Sequence, residues 1–187
     1  MSKITCGIKD ELFIRGKVPM SKEEVRVITL SKLDLEENDI VLDIGAGTGS
    51  LSIECGILLS RGKVIAVERK KEAVDLIYKN IEKFKLNNIE VIHGLAPESI
   101  LNLEYNKVII GGSGGNMEEI LEKVIKKAKI VVINTITIEN TYKAIEFMRR
   151  KGMKIDLASV SISKGKFIKD ITMMISNNQV NIIKGEY

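Results

Sequence analysis

The chain of 187 residues is 44% hydrophobic and 29% charged, a composition typical of a globular protein and too apolar for a disordered one. It contains no apolar run of the roughly 18 residues that a membrane span needs and no signal-peptide core, so we expect a cytoplasmic protein without a membrane partner. Because the net charge of +4 is small and aromatic residues are only 4%, nucleic acid is not an expected partner either.

The first predicted helix follows an irregular N-terminal stretch. Residues 7–17 have no clean period, and Val18-Pro19 ends them. Ser21-x-x-Glu24 has the pattern of a capping box, in which the hydroxyl and the carboxylate satisfy each other's free backbone amides. We therefore predict a helix that opens at Ser21 and continues toward Leu33.

A short strand followed by a glycine-rich turn is the central feature of the sequence. Residues 40–44, I-V-L-D-I, are typical of a buried strand, and the apolar spacing of residues 50–60 predicts a helix behind the glycines. Ligands of open α/β sheets bind at such a turn. The third glycine, Gly49, comes one residue too early for the dinucleotide pattern G-x-G-x-x-G. The pattern D-x-G-x-G-x-G instead resembles motif I of S-adenosylmethionine-dependent methyltransferases; an ordinary glycine-rich turn is the alternative.

An acidic residue ends the second predicted strand, residues 63–67. Glu68 lies 19 positions beyond Gly49, about where such folds place a carboxylate that accepts hydrogen bonds from ribose hydroxyls. Dinucleotide-binding proteins share this feature, so it indicates a nucleoside and not the identity of the cofactor. The alternative is a solvated loop charge.

The next loop follows a helix over residues 70–85 and a third strand over residues 89–92. In a methyltransferase fold this loop borders the adenine, and a residue as small as Ala96 lets the ring approach. A simple turn before Pro97, with His93 in a structural role, is the alternative interpretation.

A second glycine-rich segment follows the fourth predicted strand, residues 107–110. Four of the five residues 111–115 are glycine. Ordering so many glycines costs more backbone entropy than a turn alone would justify. We interpret this segment as backbone that lies against a ligand, where cofactor and substrate meet. The absence of G-K-[ST] after it excludes a P-loop.

The rest of the chain predicts two more helices and a change of architecture. A helical stripe begins at Met117, a fifth strand covers residues 130–134, and a helix over 138–148 ends at Lys151-Gly152. Further strands are predicted at 155–162, 172–176 and 180–183, with loops at 163–166 and 177–179. These elements predict an α/β fold class, and their order resembles the Rossmann-like methyltransferase fold, with a mostly parallel seven-stranded sheet and a C-terminal antiparallel hairpin. We expect a single domain over residues 1–187.

Cysteine and histidine usage argues against a metal site. Cys6 and Cys55 form no C-x-x-C pair and are expected to be reduced thiols, with Cys55 packed in a core helix. The single histidine cannot supply a zinc cluster, so no metal is predicted.

Taken together, these segments resemble the decarboxylating cobalt-precorrin-6B C15-methyltransferases of anaerobic cobalamin biosynthesis. The similarity extends from about Gly7 to the C-terminus. Its most specific parts are D-E-L-F-I-R-G-K-V-P-M-S-K-E-E-V-R (10–26) and I-G-G-S-G-G-N (110–116). L-D-I-G-A-G-T-G-S, A-V-E-R, G-L-A-P-E, S-K-G-K and I-T-M-M also match. The resemblance implies that residues 1–35 form a segment that covers substrate and cofactor.

The resemblance implies site residues one by one. S-adenosyl-L-methionine would be bound by Ser21, Gly45, Ala46, Gly47, Thr48, Gly49, Glu68 and Ala96. Ser21 is equally a helix cap, and Ala46 replaces a cysteine common in the family. We hypothesise that four basic residues bind the peripheral carboxylates of the corrinoid: Arg15, Lys17, Lys164 and Lys166. Ordinary solvated charges are the alternative, and no catalytic residue is assigned.

The implied reaction methylates carbon 15 of the corrinoid and removes the ring C acetate carboxylate as carbon dioxide. The resemblance also implies a homotetramer and suggests contact with the companion precorrin methyltransferase. Whether the corrinoid contains its metal and which step comes first stay open. Two other functions are alternatives: an RNA methyltransferase, disfavoured because only two prolines exist and N-P-P-Y cannot occur, and a catalytically silent assembly module.

Overall fold

The computed structural model describes residues 6–187, so the first five residues of the predicted N-terminal segment lie outside it. The five α-helices of the described part are α1 (Glu23–Leu33), α2 (Ser50–Leu58), α3 (Lys71–Phe84), α4 (Met117–Val124) and α5 (Ile138–Arg150). Its strands are β1 (Ile40–Ile44), β2 (Lys63–Glu68), β3 (Ile89–His93), β4 (Lys107–Ile110), β5 (Ile130–Thr135), β6 (Lys154–Val160), β7 (Ser163–Ile168), β8 (Ile171–Ser176) and β9 (Val180–Glu186).

Seven strands form one sheet in the order β3-β2-β1-β4-β5-β9-β6. The first five of these are parallel to their neighbours, whereas β9 is inserted antiparallel between β5 and β6. Strand order reverses at β1, which has β2 on one side and β4 on the other, and ligands of open α/β sheets bind at such a point. The predicted fold class is confirmed.

Helices cover both faces of the sheet, which explains why its strands are continuous apolar runs. Val41 packs with residues of α1 and α2, including the buried Cys55. Its neighbour Leu42 faces the other way and packs with α4 and α5 residues such as Leu121 and Phe147. Within residues 6–187, no helix combines the length and the apolarity that crossing a membrane requires.

The predicted capping box is wrong. Helix α1 begins at Glu23, and its N-cap residue, Lys22, makes no side-chain cap. Ser21 contributes its carbonyl oxygen instead, which accepts a hydrogen bond from the buried Arg26 guanidinium. Glu24 pairs with Lys164, with 2.8 Å between Oε1 and Nζ, so its carboxylate serves a contact with β7 rather than the helix start.

The prediction of a loop at residues 163–166 is also wrong, because these residues form the start of β7. Strands β7 and β8 form a separate two-stranded antiparallel sheet, with Ser163 opposite Ser176 and Ile168 opposite Ile171. Every residue of both strands is exposed, so no buried face imposes the alternation of apolar and polar residues that sequence analysis detects.

Buried polar groups attach the N-terminal segment to the core. The fully buried Arg26 donates from Nε to Glu54 at 2.6 Å and from Nη1 to Asp10 at 2.8 Å. The buried Asn80 accepts from the N–H of Ile14 at 2.8 Å and donates to the carbonyl of Thr48 at 2.9 Å. Residues 8–14 are thereby linked to the loop that follows β1.

Candidate functional site

The two glycine-rich segments lie against each other at the carboxyl ends of β1 and β4. Gly45 has a φ of +70°, and a Cβ atom there would lie 2.6 Å from the carbonyl oxygen of Gly112. A side chain at position 45 is therefore excluded by both backbone conformation and contact. The sequence placed both segments at ligand-facing turns, and the structure brings them together.

Glu68 lies beside the first glycine loop. Its side chain is buried, and its two carboxylate oxygens accept hydrogen bonds from the backbone N–H groups of Gly47 and Lys70, both at 2.9 Å. These two bonds fix the carboxylate at the end of β2. Each oxygen retains a lone pair that can accept a hydroxyl hydrogen.

A second carboxylate, Asp43, lies on β1 next to the loop. It is almost fully buried and accepts a hydrogen bond from the Ser52 hydroxyl. Burial, and then the nearby negative charge of Glu68, raise the pKa of Asp43 to about 6, although the Ser52 hydrogen bond acts in the opposite direction. This end of the site therefore carries acidic groups that favour a cationic ligand.

These groups line a cavity of about 570 Å³, a size suited to a nucleoside cofactor with part of a substrate. Most of the predicted cofactor residues border it: Ser21, Gly45, Ala46, Gly47, Thr48, Glu68 and Ala96. Gly49 does not border it, and instead is the N-cap residue of α2 with a φ of +76°. The predicted cofactor positions are thus largely brought into one cavity.

An unpaired hydroxyl supports a ligand in this cavity. The Oγ1 atom of Thr48 is buried and has no hydrogen-bond partner within residues 6–187. Burying an unsatisfied hydroxyl costs about 1–3 kcal/mol, which a ligand atom can recover. With the backbone cradle at Gly45 and two acidic groups nearby, the residues present fit the sulfonium and ribose of S-adenosylmethionine.

The four predicted substrate-binding cations lie in two different places. Arg15 and Lys17 border a shallow cleft together with Lys22, which also reaches the main cavity. Lys164 and Lys166 are on β7 and do not border either cavity, and Lys164 is paired with Glu24.

The opposite end of the cavity was not predicted from the sequence. There the lining comes from the end of β5, the start of α5 and the residues before β9: Asn134, Thr135, Ile136, Asn140, Asn177, Asn178 and Val180. The available signal was topological, since residues after the carboxyl end of a parallel strand face the ligand edge of the sheet. Nothing in the sequence indicated that β9 would return beside β5.

Comparison with known proteins gives a consistent result. The sequence profile of a family described as "Precorrin methyltransferase domain" matches residues 11–184. A protein of Sulfurisphaera tokodaii named probable cobalt-precorrin-6B C(15)-methyltransferase (decarboxylating) is 43% identical over 187 aligned positions, covering 96% of this chain and 97% of the relative. The crystal structure of a precorrin-6y C5,15-methyltransferase from Geobacter metallireducens is similar with a TM-score of 0.92 and 37% identity, covering 97% of this chain and 98% of that one. The crystal structure of a precorrin 8W decarboxylase from Methanobacterium thermoautotrophicum has a TM-score of 0.90 and 29% sequence identity, covering 96% of this chain and 100% of that one.

Proposed function

This chain belongs to the precorrin methyltransferase family, and we propose that it methylates carbon 15 of cobalt-precorrin-6B and decarboxylates the ring C acetate side chain, in cobalamin biosynthesis. The observation that carries the proposal is the cavity in which both glycine segments and Glu68 meet, in a chain 43% identical to a relative of that name. The enzyme is an S-adenosylmethionine-dependent C-methyltransferase.

The residues at the β1–β2 end of the cavity are proposed to hold S-adenosyl-L-methionine, which when bound supplies an electrophilic methyl group on a sulfonium. Glu68, fixed by two backbone N–H groups, accepts hydrogen bonds from the ribose hydroxyls. Thr48 offers an unpaired buried hydroxyl, and Ala96 leaves room for the adenine. Ser21 borders the cavity from the N-terminal side.

The main contribution of the protein to methyl transfer is positioning. An in-line displacement needs the nucleophilic carbon at about 3 to 3.5 Å from the methyl group, and well-oriented reactants can gain about 7–11 kcal/mol of the barrier. The backbone contact between Gly45 and Gly112 holds the two glycine segments together, at the place where we propose that cofactor and substrate meet. The step itself needs no strong base.

Arg15 and Lys17, together with Lys22, are proposed to bind peripheral carboxylates of the corrinoid. They share one cleft, and the Arg15 guanidinium can hold a carboxylate through two hydrogen bonds. Lys164 and Lys166, on β7 of the β7–β8 hairpin, are proposed to bind further carboxylates of a macrocycle that extends beyond the cavity. Arg15→Ala should weaken corrinoid binding and leave S-adenosylmethionine binding intact; unchanged corrinoid affinity would contradict this role.

In the decisive experiment, the protein is incubated with a cobalt-precorrin-6B-type corrinoid and S-adenosylmethionine, and the product is analysed by mass spectrometry. The product is expected to have gained one methyl group and lost one carbon dioxide. A product with neither change overturns the proposed function. Calorimetry with S-adenosylmethionine alone tests the alternative function of a catalytically silent assembly module. Such a module would fail to bind S-adenosylmethionine.

The proposed assembly is a homotetramer, supported by the apolar surface of the hairpin. One face of the β7–β8 sheet carries Phe167 and Met174, which are 81% and 64% exposed, whereas Lys164 and Lys166 lie on the other face. An isolated two-stranded hairpin is marginally stable in water, so this face favours burial against other copies.

Light scattering tests the assembly. The wild type should have four times the 20.8 kDa mass of one chain, and the double variant Phe167→Lys, Met174→Lys should have a smaller mass. Ile138→Lys is the control, because Ile138 is 81% exposed but lies on α5, outside the hairpin. A wild-type mass of 20.8 kDa would contradict the tetramer.

A further inference from the structure

The cavity has two chemically different ends. All its charged lining residues are near β1, β2 or the start of α1: Lys22, Asp43, Glu68, Arg69 and Lys70. The opposite end lies along β5 and β9, where Thr135 is paired with Asn181. We call this the amide end, lined by Asn134, Thr135, Ile136, Asn140, Asn177, Asn178 and Val180. Among the described residues, none that lines the amide end is charged.

Two half-buried side-chain amides at this end are available to a ligand, whereas Asn178 is exposed to solvent. Asn140 and Asn177 are both half-buried and border the cavity, and neither side chain makes a hydrogen bond within residues 6–187. Asn134 differs, because its side chain exchanges hydrogen bonds with the Thr29 hydroxyl at 3.0–3.2 Å. Thus two neutral donors face the cavity beside the apolar side chains of Ile136 and Val180.

A neutral end is suited to a carboxylate that must be lost. A cation paired with the reacting carboxylate would stabilise the ground state, where the charge is localised, more than the transition state, where it disperses into the macrocycle. Amide N–H groups orient a carboxylate through hydrogen bonds and add no net charge. The partly apolar surroundings disfavour the localised anion further.

We infer that Asn140 and Asn177 bind the acetate carboxylate that the reaction removes, and that the basic residues near the N-terminal segment bind only carboxylates that persist. This inference rests on the proposed function. It assigns the decarboxylation half of the reaction to the amide end, and it makes Asn140 and Asn177 specificity-determining residues for that half.

The electrons and charges of the coupled reaction balance without an added reactant. The bond between the acetate methylene and the carboxyl carbon breaks, the carboxyl group leaves as carbon dioxide, and the bonding pair enters the conjugated macrocycle. The methyl group joins carbon 15 without its bonding pair, which stays on the cofactor sulfur. Carbon dioxide leaves without charge, so the negative charge of the carboxylate enters the macrocycle with the bonding pair, and the positive charge of the incoming methyl group cancels it there.

The test measures both halves of the reaction in single variants. For Asn140→Ala and for Asn177→Ala, we expect a product that has gained the methyl group but kept the carboxylate, with carbon dioxide release slowed about tenfold, because the carboxylate is less well oriented. Asn177→Lys should lower the KM for the corrinoid and slow carbon dioxide release, because the new cation stabilises the carboxylate. Gln179→Ala is the control, since Gln179 is in the same loop, does not border the cavity and bonds to Ser159.

The outcomes separate the inference from the proposed function. S-adenosylmethionine affinity by calorimetry should be unchanged in every variant, which shows that the cavity has kept its fold. If the wild type couples both steps and the alanine variants couple them equally well, the inference is overturned and the proposed function stands. If the wild type makes no product, both are overturned.

Discussion

Replacing Asp43 by Asn removes a buried charge from the cofactor end of the cavity and leaves the shape of the side chain nearly unchanged. Asp43 is 1% exposed, and its carboxylate faces the negative charge of Glu68. Its pKa rises from 3.8 to about 6 on folding. Because the folded pKa is raised, the protonated form is the stable one, and stability is lost as the pH rises through 6.

The size of the effect follows from the two pKa values of Asp43. A shift of about two units corresponds to about 3 kcal/mol, which is the destabilisation by the ionised group once the pH is well above 6. At pH 4.5 the unfolded group is mostly ionised and the folded group is protonated, so the destabilisation is only about 1 kcal/mol. Asp43→Asn should therefore gain about 2 kcal/mol more stability relative to the wild type at pH 7.5 than at pH 4.5.

The assay is urea unfolding of both proteins without ligand, at one protein concentration and at both pH values. Any pH-independent effect of the substitution, such as a weaker hydrogen bond with Ser52, cancels when the two differences are compared. An equal effect of the substitution at both pH values would refute the raised pKa of Asp43. Calorimetry adds a second check: binding of cationic S-adenosylmethionine near pH 6 should release a proton in the wild type and not in the variant.

Three further substitutions test other parts of the site. Gly45→Ala should abolish S-adenosylmethionine binding by calorimetry, whereas Gly152→Ala, at a similar φ of +71° but with no atom within 4 Å of the added Cβ, should retain it. Glu68→Gln should weaken that binding about tenfold without changing the circular dichroism spectrum, because an amide cannot accept hydrogen bonds on both ends. Arg26→Met should lower the free energy of unfolding by about 3–5 kcal/mol, because it leaves Glu54 as an uncompensated buried charge. Adding Glu54→Gln should recover part of this loss, and no recovery would contradict the ion-pair argument.

The cofactor end was predictable from sequence because its signals are local. Residues 40–49 and Glu68 combine strand composition, glycine spacing and an acidic residue, and each signal depends on few neighbouring positions. The bounds of β4 were predicted to the residue, since a run of four apolar or amphipathic residues there meets a glycine segment directly. Burial on both faces makes such runs easy to recognise.

The amide end was not predictable, because it is assembled from distant parts of the chain. Asn140 follows β5, whereas Asn177 precedes β9, and the two meet only because β9 inserts between β5 and β6. The local pattern of apolar and polar residues contains no information on where β9 inserts in the sheet. Strand β7 was mispredicted for a related reason, since it has no buried face to impose a period of two on its sequence, whereas β8 was predicted at 172–176 and covers Ile171–Ser176.

The distribution of charge in the cavity also bears on which ligand binds where. Asp43 and Glu68 are buried at one end, whereas Arg69 and Lys70 there are exposed and screened by solvent. In low dielectric the two buried carboxylates attract a sulfonium and repel a substrate that carries several carboxylates. The amide end has neither effect, and it accepts a carboxylate without strong repulsion or strong attraction. The acidic end thus discriminates against reversed binding of the polyanionic substrate, and the neutral end keeps the reacting carboxylate from being stabilised. Selectivity between the two ligands follows from electrostatics at one end of the cavity and from the absence of charge at the other.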